Sequence, residues 1–149
     1  MIILDTDHIV TLKRENDPHW NTLTTNLVSS ADQDFATTAI TVEEQNRGWL
    51  ALINRYTDVH KQIPAYARLI ELIRFFANWR IMAFDEAAAD EFVRLRKERI
   101  RIGTHDLKIA SIALVNDATL LSANLRDFEQ VPGLRVENQR FAWRFVPRT

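Results

Sequence analysis

Residues 103–136, GTHDLKIASIALVNDATLLSANLRDFEQVPGLRV, decide the reading of this chain. The stretch reads as a helix, a turn, a short strand, a polar turn and a second short strand. From about Thr104 to Asn116 the helix carries Leu107, Ile109, Ala110, Ile112, Ala113 and Leu114, apolar on most sides, which marks a core helix rather than a surface one. Its small residues Ala110, Ser111 and Ala113 let another backbone lie close. Asp106 stands in the first turn, where free backbone N–H groups and the helix dipole favour a carboxylate. Thr119–Ser122 reads as a strand, with Asn124 and Asp127 just past its end. Pro132-Gly133 marks a turn before Leu134–Val136.

Working outward, the N-terminal run Ile2-Ile3-Leu4 ends at Asp5 and suits a strand buried on both faces of a parallel sheet. Asp7 is placed to cap a helix through about Lys13, and Asp17-Pro18 to start the next. A second strand is expected over Phe35–Ala39, followed by a helix capped by Thr41, with Glu44 at the capping-box spacing. Pro64 is expected to open a longer helix with Tyr66, Leu69, Ile70, Ile73 and Phe76 toward the core. Leu72, Phe75 and Trp79 form a second apolar stripe that hints at a partner surface. A third strand is expected over Ile81–Phe84, and Asp85 caps the helix after it. Strands alternating with helices indicate an α/β fold, a mostly parallel sheet with helices on both faces. In such sheets ligands bind beyond the carboxyl ends of the strands.

Composition narrows the function classes. The 149 residues are 46% hydrophobic and 26% charged, with a formal net charge of −1. That suits one domain over 1–149 with a single core, and gives no global electrostatic case for nucleic acid or membrane. The absence of cysteine excludes disulfides, thiolate metal sites and a cysteine nucleophile. No stretch approaches the ~20 apolar residues of a membrane span, and MIILDTDHIV is too short and acidic for a signal peptide, so a cytoplasmic protein is expected. With three glycines there is neither a GxGxxG nor a Walker loop.

The acids are the informative residues. Asp5 ends the first strand, Glu44 lies in the first turn after the second, and Asp127 follows the fourth. Asp106 heads the helix entering that fourth strand. A parallel sheet brings three of them to one edge, with the fourth in reach. Clustered carboxylates repel, so some stay protonated or the cluster holds a cation. Oxygen donors without Cys or a paired His suit Mg²⁺ or Mn²⁺ rather than Zn²⁺, and the chemistry this implies is metal-assisted hydrolysis. Taken singly each acid also has an ordinary explanation: strand end, capping box, helix dipole, exposed turn.

Three segments together resemble a known family: LDTDHIV (4–10), ITVEEQNRGW (40–49) and HDLKIASIALVNDATLLSANLRDFEQVPGLRV (105–136). The chain resembles the PIN-domain ribonucleases of the VapC toxin type, the toxic halves of type II toxin–antitoxin pairs. Residues 58–83 match in helical character only. The resemblance implies a PIN-like three-layer α/β/α sandwich and Mg²⁺-dependent cleavage of RNA. It puts the family's acids on Asp5, on Glu44 (four residues before Gly48), on Asp106 and on Asp127, with Asn124 as a neighbouring ligand or water-orienting group. Asp5 and Asp106 would be the principal metal ligands. Ser122 stands where Thr is usual, Asp7 where Asn is commoner, and Gln45 where an apolar residue is usual. The implied partners are RNA, a cognate antitoxin and a second copy of the chain in a homodimer.

Arg94, Arg96, Lys97, Arg99 and Arg101 crowd the approach to Asp106 and could track an RNA backbone, although a solvated helix end explains them as well. His8 and His105 flank the acids without a pairing motif, and His19 and His60 read as surface residues. The C-terminal QRFAWRFVPRT, alternating Phe141, Trp143 and Phe145, reads as strand-like packing. Two other readings stay open. One is a haloacid-dehalogenase-like phosphatase with Asp5 as nucleophile and Asp7 as acid/base. The other is a PIN-like module that binds RNA or protein without cutting.

Overall fold

The computed structural model of the protein describes residues 1–141. Its elements in chain order are β1 (Ile2–Leu4), α1 (Thr6–Leu12), α2 (Trp20–Val28), β2 (Phe35–Thr38), α3 (Ala39–Arg55), α4 (Val59–Phe76), β3 (Arg80–Met82), α5 (Glu86–Lys97), α6 (Thr104–Val115), β4 (Thr119–Leu121), α7 (Leu125–Phe128) and β5 (Arg135–Glu137). The strands form one sheet in the order β3-β2-β1-β4-β5, and every pairing is parallel. The expected α/β class holds, with the sheet wholly rather than mostly parallel among the described residues.

Strand periodicity separates two cores. Ile3, Ala36 and Leu120 point to one face, where they meet Leu95 of α5 and Leu107, Ile109, Ala110, Ile112 and Ala113 of α6. Leu4 and Leu121, one position on, point to the other face and meet Ile9 of α1 and Leu72 and Phe76 of α4. This alternation makes the sandwich three-layered. Helix α6 is buried on nearly every side, as its composition requires. Gly133 has φ of 79°, the left-handed conformation of the Pro132-Gly133 turn.

Local chemistry moved several boundaries. Asp5, not Asp7, caps α1, because β1 runs into the helix without a loop and the junction residue accepts from the Thr6 N–H. β2 ends at Thr38, whose hydroxyl caps α3 by accepting from the Thr41 N–H. Thr41 is therefore inside the helix, and Glu44 completes no capping box. Asp17 accepts from the His19 N–H, and α2 begins only at Trp20. Asp58 caps α4, so Pro64 lies inside that helix rather than opening it. β3 spans Arg80–Met82 instead of Ile81–Phe84.

Of the stripe expected to face the core, Phe76 does so, but Tyr66, Ile70 and Ile73 do not, and the second stripe is turned inward. Ala65, Leu72 and Phe76 are buried, with Phe75 and Trp79 packed beside them. Val59, Ile63, Tyr66, Ile70 and Ile73 are exposed, each by half or more of its surface. Two stripes of similar hydrophobicity on one helix give periodicity no means of choosing which faces the sheet. The alternation through Trp143 and Phe145 lies outside the described residues, and Phe141 is exposed.

Candidate active site

The strand order reverses direction between β1 and β4, and the site sits beyond the carboxyl ends of these two neighbours. The ladder continues past the strands: the Asp5 N–H donates to the Leu121 carbonyl at 2.9 Å, and the Ser122 N–H to Glu137 at 2.9 Å. Asp5 and Ser122 are thereby held side by side. The Ser122 hydroxyl donates to Asp5 Oδ2 at 2.7 Å and accepts from the Asn124 N–H at 3.0 Å.

The other acids are brought in by small polar side chains. Thr6, the first residue of α1, donates its hydroxyl to Glu44 Oε2 at 2.6 Å, and its N–H donates to Asp5 Oδ1 at 2.7 Å. Asn124 donates its NH₂ group to Asp106 Oδ2 and to Asp127 Oδ2, both at 3.1 Å. The structure thus gathers Asp5, Glu44, Asp106, Asp127 and Asn124 at one edge. Glu43 accepts from Arg47 through one oxygen, while Glu44 is the member of the pair that bonds Thr6.

Crowding appears in the titration of the acids. Asp5 is only 6% exposed. Burial and then the charge of Asp7 push its carboxyl up to about 7, against the hydrogen bonds from Ser122 and Thr6 and with a further push from Asp106. The Asp106 carboxyl is also raised, by burial first, then by Glu44 and Asp127, with the Asn124 hydrogen bond opposing. Asp7 goes the other way. Burial raises it, but the hydrogen bonds from His8 and from the Ala123 N–H, with Arg140 nearby, bring it below the usual carboxylate range.

Among the described residues no group of three or more His, Cys, Asp or Glu side chains is arranged to hold a metal ion. By donor type alone, the acids at this edge suit a hard divalent ion. The set is built of carboxylate oxygens, and two of its carboxyls are raised, by burial first and by the charge of neighbouring acids second. The recess is open, bounded by Gly103, Thr104, His105 and Asp106. His105 Nδ1 lies 3.5 Å from Glu44 Oε1 and its Nε2 lies 3.7 Å from Glu43 Oε2, which puts the ring at the mouth of the site.

Three contributions were not legible in the chain. Thr6 and Ser122 bond the acids directly, and Asp7 and His8 bond each other and the backbone at Ala123 and Gln139. His8 is fully buried, with Nδ1 bonded to Asp7 Oδ1 and Nε2 accepting from the Gln139 N–H at 3.2 Å. The D-T-D-H run was the available signal, but a histidine's neighbours at distant positions are invisible in sequence. Of the basic residues, Arg94 is committed to Glu91 and Glu98 along its own helix. The Arg96 guanidinium lies over the Phe92 ring at 5.4 Å. Lys97, Arg99 and Arg101 are exposed. The phosphatase reading needs Asp7 free for proton transfer, yet Asp7 Oδ1 is bonded to His8 and Oδ2 accepts from the Ala123 N–H at 2.9 Å.

A doubly flanked parallel sheet with an acidic cluster beyond the strand ends at its switch point defines the class: an α/β protein with a polar, acid-lined candidate site. Comparison with known proteins narrows this. The PIN domain family profile matches residues 2–134. The chain is 30% identical over 137 residues to Ribonuclease VapC of Rickettsia bellii, covering 91% of this chain and 93% of that protein. It is 29% identical over 139 residues to Ribonuclease VapC1 of Rickettsia felis, with the same coverage. Among solved structures, FitAcB from Neisseria gonorrhoeae superposes with a TM-score of 0.68 at 26% identity, covering 93% of this chain and 98% of that one. VapBC2 from Rickettsia felis, bound to a DNA fragment from the promoter, gives 0.67 at 25% identity and the same coverage. The chain belongs to the PIN domain family.

Proposed function

We propose that this chain is a divalent-metal-dependent endoribonuclease, the toxin component of a VapC-type pair, comprising one nuclease domain over 1–149. The observation that carries the reading is the gathering of Asp5, Glu44, Asp106 and Asp127 around Thr6, Ser122 and Asn124, with Asp5 and Asp106 resisting ionisation. Asp5 and Asp106 would hold Mg²⁺ or Mn²⁺, with Glu44 and Asp127 contributing directly or through water. When bound, the ion supplies positive charge that offsets charge developing on a phosphodiester and makes water a better nucleophile.

The chain's own groups do the positioning. Ser122 and Thr6 fix both oxygens of Asp5, Thr6 also fixes Glu44, and Asn124 keeps Asp106 beside Asp127. Such ties hold donors in place without reorganisation during reaction. Lys97, Arg99 and Arg101 precede Asp106 and stand where phosphates of a bound strand could be met.

The similar solved structures named VapBC support a cognate antitoxin as partner, and the exposed stripe of α4 supports a helical contact with another chain. The reading includes a homodimer and a cytoplasmic location. No described helix is long and apolar enough to cross a membrane. The test is direct. Purified chain, freed of any partner, is titrated with Mg²⁺ and Mn²⁺ over a structured RNA and its DNA counterpart. RNA cleavage that EDTA stops and Asp106→Asn abolishes is the expected result. RNA left intact by folded protein across both titrations would instead favour a binding module without catalysis.

A further inference from the structure

The hydrogen bonds behind the acidic edge have a direction, and that direction dictates which group can stand at position 7. The backbone N–H of Gln139, just past β5, donates to His8 Nε2 at 3.2 Å. An amide N–H only donates, so this ring nitrogen is an acceptor and the ring proton sits on Nδ1. His8 is fully buried, so water offers no alternative partner. Its Nδ1–H faces Asp7 Oδ1. On the other side of the same carboxylate, the Ala123 N–H donates to Oδ2 at 2.9 Å, and the Ser122 hydroxyl lies 3.4 Å from it. Two fixed donors converge on residue 7 from opposite sides. A carboxylate answers both. An asparagine must turn its NH₂ toward one of them, leaving a donor facing a donor.

We propose that half-buried Asp7 and buried His8 are a pair of positioning residues that sets the place of the Ser122–Asn124 loop and, through it, of the acids. The loop is the common support of the site. Its Ser122 hydroxyl bonds Asp5, and its Asn124 side chain spans Asp106 and Asp127. Asp7 holds the loop at Ala123, between those two residues, and His8 ties Asp7 to the chain leaving β5. Asp7 adds negative charge to the edge while both its oxygens are engaged elsewhere. Its role is to orient the acids without touching substrate.

The kinetic part of the test rests on the nuclease reading, and the spectroscopic part does not. In the full chain labelled with ¹⁵N-histidine, His8, assigned by loss of its signals in His8→Gln, is expected at neutral pH with a protonated Nδ1 and a bare Nε2. A proton on Nε2 overturns the proposal. In kinetics, Asp7→Asn and His8→Gln are each expected to lower kcat by roughly 10- to 100-fold, with KM for RNA changed less than about 2-fold. The double variant is expected to be no worse than the poorer single one, the signature of residues acting as a unit. Independent, multiplying losses, or a loss carried by KM alone, overturn it. Wild-type protein that cleaves no RNA overturns the nuclease reading instead. The ring tautomer and the hydrogen-exchange protection of the Ala123 amide, expected to fall in Asp7→Asn, then decide the pair by themselves.

Discussion

The acidic edge and the outer face of α4 are opposite kinds of unfinished surface. At the edge, polar groups are densely bonded to one another, yet burial and crowded negative charge raise the carboxyls of Asp5 and Asp106. On α4, Val59, Ile63, Tyr66, Ile70 and Ile73 recur at spacings of four and three and meet no described side chain that covers them. The first surface lacks positive charge and the second lacks apolar contact. A folded chain tolerates each because its cost is smaller than the stability of the two cores. The difference teaches that the two surfaces invite unlike ligands, a cation with a polyanion at one and a protein helix at the other.

Breaking the edge has the largest effect. Asp106→Asn is expected to lower RNA cleavage by about 10³-fold, as loss of a group that stabilises the transition state electrostatically does. It should also raise the Tm of metal-free protein, because it removes a charge the fold resists. An equal fall in Tm and activity would make Asp106 a structural residue.

A pH titration of stability sharpens the same contrast. Asp5 ordinarily titrates at 3.8 and is pushed up to about 7 in the fold. Between those values the native state holds a proton the unfolded chain has released. Its contribution is therefore fully present below pH 4 and is lost as pH rises through 7, on the order of 4 kcal/mol for a group this buried. Asp7, held low, works oppositely, its contribution present at neutral pH and lost in acid. Melting curves without metal should fall across pH 4 to 7, and Mg²⁺ should restore much of the loss at the upper end. A flat profile would show that Asp5 is not strained.

The two faces of α4 are separated by one pair of substitutions. Leu72→Ala, on the buried face, is expected to cost about 2–5 kcal/mol in denaturant unfolding. Ile70→Glu, two residues away and half exposed, should change stability by no more than about 0.5 kcal/mol and leave RNA cleavage intact. It should weaken capture of the co-expressed partner by roughly 10- to 100-fold, the value of one buried aliphatic side chain. The smallest effect is expected at Arg101, whose replacement by Ala should reduce the salt slope of RNA binding by about 0.7, one phosphate contact on a single strand.

Asp5 and Asp106 were legible because each sits at a junction the sequence marks, after an apolar run and at the head of an apolar helix, whereas Glu44, inside α3, was singled out by the resemblance that puts an acid four residues before Gly48. Asn124 and Asp127 followed a short strand. The residues that hold them were not legible. Thr6 and Ser122 are small polar side chains like many others, and their role is a matter of which atoms meet across gaps of 38 and 117 positions. His8 looked incidental for the same reason. The α4 stripes were misassigned because both satisfy helical spacing, and the deciding fact is how the helix is rolled against Leu4 and Leu121.

By itself the sequence determined the parallel α/β class, the buried helix at 104–115 and the short set of acids able to do chemistry. These depend on local periodicity and on residue type, both readable along the chain. Only the tertiary structure decided that Asp7 bonds His8 and the Ala123 N–H, that Asn124 bridges two acids, and which side of α4 is left bare. Those depend on the directions of hydrogen bonds and on packing between elements far apart in sequence, and neither exists until the chain has closed on itself.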